Sequence, residues 1–237
     1  MSTPGRPSIS VYEKDFQLKL KGQKGILHPS EDLIRLVVRS AIAAKGPGES
    51  ALDFGVGDGR HVQYLMSLGY SVTGADVAPS SLEVTRRLFE GNDKFRGILL
   101  ETSPELPVSD HTFSLVVAWE VLHWLGTPER FLQGMRELVR VLRPGGAILL
   151  TMPTESHYLK QYSLEIGKST YHCKTPTRMD CVFYSPNLFT LKNVFENEMG
   201  LEISHILRYK YGSTSTEPTL DERMSFYGFC LRPARRT

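Results

Sequence analysis

The sequence has few of the features that mark membrane, secreted or metal-binding proteins. Its three cysteines, Cys173, Cys181 and Cys230, are too few and too scattered for a disulfide framework, and they lack the spacing of zinc ligands. No apolar run approaches the roughly 20 residues that a membrane span needs. The amino terminus (MSTPGRPSIS) has no apolar signal core. These absences predict a reduced, cytoplasmic protein without a metal site or membrane contact.

A strong net charge is also absent. The 28 Lys and Arg residues against 26 Asp and Glu residues leave a net charge of +2. No field of one sign therefore favours nucleic acid as a partner. A chain of 237 residues with 41% hydrophobic residues can bury the core of one domain. We expect a small-molecule substrate, no nucleic acid, and a monomer or homodimer.

Short apolar segments recur along the chain and lack polar alternation. With helices between them, such strands predict a parallel α/β sheet covered on both faces. Two strands near the end of the chain, separated by the polar loop GSTSTEPTLDE, predict an antiparallel pair at one edge. The seven predicted strands are 51–54, 71–75, 97–100, 113–119, 147–152, 201–209 and roughly 223–231.

Helix signals separate these strands. The predicted starts are Ser30, the glycine-rich turn after Phe54, Ala78-Pro79, Thr127-Pro128 and Ser185-Pro186. The predicted stops are Lys45-Gly46, Gly69, Gly91, Pro144-Gly145-Gly146 and Gly200. Two segments fit no element of the core. Residues 1–29 are predicted to form an amino-terminal lid, and residues 153–184 a lid insertion in the domain that spans residues 30–237.

The turn after the first strand carries the most specific pattern. It reads D-x-G-x-G-x-G from Asp53 through Gly55 and Gly57 to Gly59. Glycine permits backbone conformations closed to other residues and removes the Cβ that would block a ligand. The following helix is expected to present free N–H groups to an anion such as a carboxylate. Asp53 can accept a hydrogen bond from an ammonium group or its water.

Asp76 follows the second strand, about 20 residues after the turn. A carboxylate at this place can accept hydrogen bonds from both hydroxyls of a ribose. A nicotinamide cofactor would use similar features, but its fingerprint is G-x-G-x-x-G, and Arg60 stands where the third glycine should be. Together, the turn and Asp76 predict an adenosine-type ligand with a charged tail.

The sequence resembles the class I S-adenosylmethionine-dependent methyltransferases, in particular the group that acts on small molecules. The resemblance covers roughly residues 30–232 and is carried by DFGVGDG, GADVAPSSLE, LPVSDHTFSLVVAWEVLHWL and RELVRVLRPGGAILLTMP. It implies a Rossmann-like fold and S-adenosylmethionine as cofactor. The residues implied to bind it are Asp53, Gly55, Gly57, Gly59, Asp76, Val77, Glu101, Thr102, Ser103, Ala118 and Trp119.

The chain departs from the resemblance in one place. Many relatives carry an Asp-Ala pair beside the adenine, where this sequence has Thr102-Ser103. A hydroxyl can still accept a hydrogen bond from the adenine amino group. The adenine is therefore still assigned to this loop.

The candidate catalytic residues are His123, Tyr158 and Tyr184. His123 follows the fourth strand and would act as a base for an acceptor that carries a proton, although a histidine in VLHW can equally pack with its neighbours. Glu120 also follows the fourth strand and could face the reacting centre. Alternatively, it could only pair with a nearby cation. Tyr158 and Tyr184 belong to the predicted lid and are expected to touch the substrate.

Three functions fit these residues. The first is methyl transfer to a small metabolite; the chain has no Asn-Pro-Pro-Tyr motif after the fourth strand, which argues against exocyclic amino-group methylation of nucleic acid. The second is attack on the aminobutyrate arm of S-adenosylmethionine, by an acceptor or by the cofactor's own amino group, which releases methylthioadenosine. The third is a non-catalytic module that only binds the cofactor.

Overall fold

Two sheets organise the computed structural model, which describes residues 28–42, 45–101, 104–174, 180–211 and 224–234. The main sheet contains β1 (Ser50–Phe54), β2 (Ser71–Asp76), β3 (Phe95–Leu99), β4 (Phe113–Ala118), β5 (Leu142–Pro153), β9 (Leu201–Tyr211) and β10 (Met224–Pro233). Its strand order is β3-β2-β1-β4-β5-β10-β9. The first five strands are parallel, and β10 pairs antiparallel with both β5 and β9. The predicted seven-stranded fold is confirmed.

Helices follow most of the parallel strands, as the start signals predicted. They are α1 (Glu31–Arg39), α2 (Val62–Ser67), α3 (Pro79–Leu88), α4 (Pro128–Val141) and α5 (Leu188–Asn193). Pro79 occupies the first turn of α3, and the Thr127 side chain caps α4 by accepting a hydrogen bond from the Arg130 N–H. None of the helices in the described ranges is long and apolar enough to cross a membrane.

Side chains along each strand point alternately to the two faces of the sheet, so the core forms two layers, one on each face. Leu52 and Phe54 of β1 face the layer that α4 and α5 cover. Ala51 of β1 and Trp119, the residue after β4, face the layer covered by α1 and α2. Because the parallel strands are buried on both faces, they read as continuous apolar runs in the sequence.

The insertion, residues 153–184, holds structure that the sequence did not predict. It contains a short 3₁₀ helix, Tyr158–Tyr162, and a separate antiparallel sheet of β6 (Ser163–Gly167), β7 (Thr170–Lys174) and β8 (Asp180–Tyr184). Leu159, Cys173, Cys181 and Phe183 form its own small core, and Trp124 packs against it. The insertion therefore rests on the 3₁₀ turn Leu122–Leu125 that follows β4.

Several predicted boundaries were wrong, among them the following three. The first helix ends at Arg39 rather than near Lys45, since Ala41 adopts φ 55° and turns the chain away. β5 starts at Leu142 rather than Ala147, with a shift in its register against β4. The helix expected from Ser185-Pro186 begins at Leu188, because the Asn187 side chain caps it.

Candidate functional site

Three glycines form the turn between β1 and α2. Gly55, Gly57 and Gly59 have φ values of 78°, 56° and 81°, a region that favours glycine. A Cβ at Gly55 would lie 2.5 Å from Cγ2 of Val121, and one at Gly59 would lie 2.8 Å from Cγ2 of Thr85. A Cβ at Gly57 would have no heavy atom closer than 4.0 Å. The turn is therefore packed at both ends and open at its middle glycine.

Asp76 joins this turn to the end of β2. Its Oδ2 accepts a hydrogen bond from the Gly57 N–H at 2.9 Å, and its Oδ1 accepts one from the Ala78 N–H at 3.0 Å. The Ser81 hydroxyl lies 2.9 Å from Oδ2. A carboxylate has about four acceptor sites, so these three contacts leave capacity for a ligand hydroxyl.

The N–H groups of the three glycines are used within the protein. That of Gly55 donates to the Ala75 carbonyl at 2.7 Å, and that of Gly59 to the Val56 carbonyl at 3.0 Å. The N–H of Gly57 is bound to the Asp76 carboxylate. The expectation of free N–H groups at the start of the following helix stays a prediction, whereas these three glycines offer an anion no free N–H. Their role is to shape the turn.

Asp53, His61 and Trp119 place unpaired polar atoms beneath the turn. Oδ2 of Asp53, Nε2 of His61 and Nε1 of Trp119 are buried, and none has a hydrogen-bond partner in the described part of the chain. Burial raises the pKa of Asp53 well above its usual value and lowers the pKa of His61 well below. Unpaired buried polar groups cost about 1–3 kcal/mol each. A ligand or water that pairs with them would recover this cost.

These features fit the predicted cofactor. The open backbone at Gly57 leaves space beside the turn, and Asp76 retains acceptor capacity for a ribose. The unpaired oxygen of Asp53 suits an ammonium group or its water. S-adenosylmethionine carries an adenosine and a charged amino acid tail, so these residues would hold its two ends. The glycine turn, Asp53 and Asp76 are called the cofactor cradle below.

Glu120 lies directly beside the cofactor cradle in a strained backbone conformation. Its φ is 58°, which costs about 1–3 kcal/mol for a residue other than glycine. Its backbone N–H donates to the hydroxyl of the buried Thr151 at 2.7 Å. Its carboxylate lies 3.4 Å from Nη2 of Arg60 and 3.4 Å from the Tyr209 hydroxyl. The structure therefore gives Glu120 the cation partner that the sequence left open, and a phenol as well.

An aromatic wall, formed by Trp119, Tyr209, Phe226 and His157, extends from the same point. Tyr209 stacks on Trp119 with ring centroids 5.9 Å apart and on Phe226 at 5.7 Å. The His157 ring meets Phe226 edge-on at 4.8 Å. Nδ1 of His157 accepts a hydrogen bond from the Leu159 N–H, so Nε2 carries the hydrogen. That N–H is buried and has no partner among the described residues.

The three predicted catalytic residues lie in different surroundings. His123 is 1% exposed and packs between Trp124 and Phe226; burial lowers its pKa well below the usual value, which weakens it as a base. Tyr158 starts the 3₁₀ helix of the insertion, next to His157. Tyr184 lies in the core layer under α4, with its ring 5.2 Å from that of Phe131.

The remaining predicted cofactor residues occupy the same edge of the sheet. Val77 follows Asp76 and is half-buried, and Glu101 is exposed shortly after β3. Ala118 ends β4 and is fully buried. Thr102 and Ser103, assigned to the adenine, lie outside the described residues, as does nearly all of the amino-terminal segment. No cluster of three or more potential metal ligands occurs in the ranges that the structure describes.

Sequence reasoning missed the contribution of the terminal strands to this site. Tyr209 and Phe226 are directly paired across β9 and β10, and Phe226 also pairs with Pro153 at the end of β5. Because β10 runs antiparallel to β5, its first residues lie where β5 ends. The predicted antiparallel pair could have indicated that its aromatic residues reach the carboxyl edge of the sheet.

Comparison with known proteins agrees with this geometry. Residues 52–150 match a family described as a methyltransferase domain. A demethylmenaquinone methyltransferase of Clavibacter sepedonicus is 31% identical over 125 residues, 53% of this chain and 49% of that protein. A phthiotriol/phenolphthiotriol dimycocerosates methyltransferase of Mycobacterium ulcerans is 30% identical over 163 residues, 67% of this chain and 57% of that protein. Proteins of Mus musculus and Arabidopsis thaliana named as tRNA methyltransferases also match, at 26% and 29% identity.

Solved structures show the same fold. The 1,6-didemethyltoxoflavin-N1-methyltransferase of Burkholderia thailandensis, solved with its acceptor and S-adenosylhomocysteine, superposes with a TM-score of 0.62. It is 14% identical, and the match covers 99% of this chain and 92% of that one. The chain spans about half the length of the curated relatives it matches. The glycine turn, Asp76, the sheet order and these matches support a class I S-adenosylmethionine-dependent methyltransferase, with S-adenosylmethionine as its cofactor.

Proposed function

We propose that the chain transfers the methyl group of S-adenosylmethionine to a small-molecule acceptor. The observation that carries this proposal is the position of Glu120. Arg60 connects its carboxylate to the glycine turn, and Tyr209 connects it to the aromatic wall. A proton acceptor therefore stands between the cofactor cradle and a surface suited to an organic ring.

The chemistry needs little from the protein beyond position and a base. S-adenosylmethionine supplies a methyl carbon that its sulfonium has already activated. The protein aligns the acceptor and excludes water. Glu120 is assigned to receive the proton that an acceptor hydroxyl or amine loses. Arg60 and Tyr209 hold the carboxylate in place before the acceptor arrives.

The aromatic wall favours a flat and partly apolar acceptor. Stacked rings suit an aromatic ring on their open side. The unpaired Nε2–H of His157 would donate to an oxygen of such an acceptor. The relatives named for demethylmenaquinone and for phenolphthiotriol substrates support acceptors of this kind.

The insertion is proposed to cover the acceptor. It rests on the turn Leu122–Leu125, close behind Trp119 and Glu120, and His157 belongs to its first residues. The amino-terminal segment stays a predicted lid, and the cytoplasmic location and absence of a nucleic acid partner stay predictions from the sequence.

The deciding experiment measures which nucleoside the protein releases. The pure protein is incubated with S-adenosylmethionine alone, then with a hydroxylated naphthoquinone, a set of phenols and N-heterocycles, or unfractionated tRNA. Mass spectrometry quantifies S-adenosylhomocysteine, methylthioadenosine and methylated acceptors. Acceptor-dependent S-adenosylhomocysteine that Asp76→Ala abolishes would support small-molecule methyl transfer.

Each other outcome selects a different function. Methylthioadenosine above the spontaneous background, formed without acceptor, would mean attack on the aminobutyrate arm. Methylated tRNA without any methylated small molecule would mean that the acceptor is a nucleic acid and not a small molecule. Tight cofactor binding without turnover across the whole panel would favour a binding module.

A further inference from the structure

Two of the three cysteines face each other across the insertion's hairpin. Cys173 of β7 pairs directly with Cys181 of β8 in the antiparallel register. The next pair on the same face is Tyr171 and Phe183, whose rings stack at 5.3 Å. The two thiols are close enough for each to shift the pKa of the other. The hairpin thus brings together cysteines that seemed scattered in the sequence.

The position of this pair fits disulfide geometry. Directly opposed residues of antiparallel strands have Cα atoms about 4.5–5.5 Å apart. Disulfides span Cα distances of about 4.4–6.8 Å. The Cα spacing expected for this directly opposed pair therefore lies within the range of disulfides. Cys230, in contrast, lies on β10 in the core of the main sheet.

We propose that Cys173 and Cys181 form a reversible oxidation site, which a peroxide converts into a disulfide between β7 and β8. The Cys173 thiolate attacks one peroxide oxygen, the O–O bond breaks, and a sulfenic acid forms with release of hydroxide. The Cys181 sulfur then attacks the sulfenic sulfur, the S–S bond forms, and water leaves. Two thiols lose two protons and two electrons, and hydrogen peroxide becomes two molecules of water.

The surroundings favour Cys173 as the attacking group. The neighbouring Cys181 thiol, with a smaller contribution from Ser163, lowers the pKa of Cys173 to about 7. The thiolate is the reactive form of cysteine. The contact with Cys173 and, after it, burial raise the pKa of Cys181. Cys181 therefore stays protonated while Cys173 reacts first, and its proton leaves with the sulfenic oxygen as water in the second step.

Access to the pair is governed by its place in the hairpin. Both thiols are buried, at 0% and 2% exposure. The next paired residues, Lys174 and Asp180, have side chains about 70% exposed and mark the end of the paired strands. Oxidation therefore requires only local opening at this end, and a small peroxide suits it better than a bulky disulfide.

The disulfide would stiffen the side of the insertion that contacts the proposed active site. Phe183 of β8 packs against Trp124 at 6.2 Å, and Trp124 belongs to the turn that follows Glu120. The thiol state of the hairpin is thereby coupled to the rigidity of the surface behind the aromatic wall. This inference stands without the proposed acceptor chemistry.

The test uses the folded full chain. Hydrogen peroxide is added, remaining thiols are alkylated, and the protein is digested with trypsin. Lys174 and Arg178 lie between the two cysteines, so trypsin separates them unless a disulfide joins them. We expect one linked peptide pair, 2 Da lighter than the two thiol peptides, that dithiothreitol reverses. The linkage should raise Tm by roughly 5 °C.

Matched variants make the result decisive. Cys230→Ala should leave the linkage intact, whereas Cys181→Ala should leave Cys173 as a sulfenic or sulfinic acid without a linked peptide. The proposal fails if the linkage forms only in denaturant, if Cys230 is linked as readily, or if Cys173 shows only oxygen addition. It also fails if peroxide that oxidises free glutathione leaves the folded pair as thiols.

Discussion

The backbone N–H of Gly57 donates to the Asp76 carboxylate, with 2.9 Å between N and Oδ2. The glycine turn of β1 and the acidic end of β2 are therefore one hydrogen-bonded unit. Asp76 shapes the turn and is also the residue to which we assign the ribose. Its removal should affect the two ends of the cofactor together.

We expect Asp76→Ala to weaken S-adenosylmethionine binding by at least tenfold, since it removes charge-assisted hydrogen bonds. Isothermal titration calorimetry with S-adenosylmethionine and S-adenosylhomocysteine measures the change. The matched control is Glu83→Ala. Glu83 is an exposed carboxylate on α3 that pairs only with Arg87 among the described residues, so this variant should bind the cofactor normally. Unchanged affinity in Asp76→Ala would remove the ribose assignment.

Glu120→Gln separates the proposed proton acceptor from the cofactor cradle. The amide keeps the shape but is a far weaker base, so kcat with a proton-bearing acceptor should fall by roughly 100-fold. Cofactor affinity should stay within about twofold, because the glycine turn and Asp76 are untouched. Steady-state kinetics and calorimetry measure the two effects.

Tyr209→Phe is the matched control for this variant. It keeps the ring that stacks on Trp119 and removes only the hydroxyl that contacts Glu120. We expect a reduction of kcat of less than about tenfold, since the carboxylate remains. A Glu120→Gln variant that loses cofactor affinity while keeping kcat would assign Glu120 to the ammonium group of the cofactor.

The parallel part of the sheet was predictable because its strands are local apolar runs between clear helix signals. The glycine turn and Asp76 were equally local, since each follows the end of a strand. The aromatic wall was not, because it joins Trp119 to Tyr209 and Phe226 over long sequence distances. Only the pairing of β10 with β5 brings these residues to the carboxyl edge.

The insertion escaped prediction for a different reason. Its strands are short, and β6 is largely exposed, so neither face shows a clear apolar alternation. Cys173 and Cys181 pair only after the hairpin forms. The 3₁₀ helix places His157 against Phe226, a contact that no spacing in the sequence indicates.

Arg140 anchors the segment between β3 and β4, and its replacement should destabilise the fold. Its guanidinium donates to the carbonyls of Leu106 and Val108 and pairs with Asp110 and Glu137. Lysine keeps the charge but loses the fork that serves several acceptors. We expect Arg140→Lys to lower the free energy of unfolding by about 2 kcal/mol.

Urea denaturation measures this change. Arg136→Lys is the matched control, because Arg136 lies on the same helix with its side chain exposed, and its effect should stay within about 0.5 kcal/mol. Equal stability of the two variants would show that the network around Arg140 contributes nothing.

His157 should make the stability of the protein depend on pH. Burial, together with the positive charge of Lys160, lowers its pKa from 6.5 to about 4. The folded state therefore holds the neutral ring, whereas the unfolded chain takes up a proton below pH 6.5. Stability contributed by the neutral ring is present above pH 6.5 and is lost as the pH falls towards 4, by about 3 kcal/mol in all.

His157→Asn isolates this effect, because the amide oxygen can still accept the hydrogen bond from the Leu159 N–H. We expect the variant to unfold with a pH dependence between 6.5 and 4 that is shallower by up to one proton. Above pH 7, it should be less stable by about 1 kcal/mol, since the ring no longer packs on Phe226. Urea denaturation at pH 7.5, 6 and 5 compares the slopes. Parallel curves for the variant and the wild type would mean that His157 takes up its proton at the same pH in the folded and unfolded states.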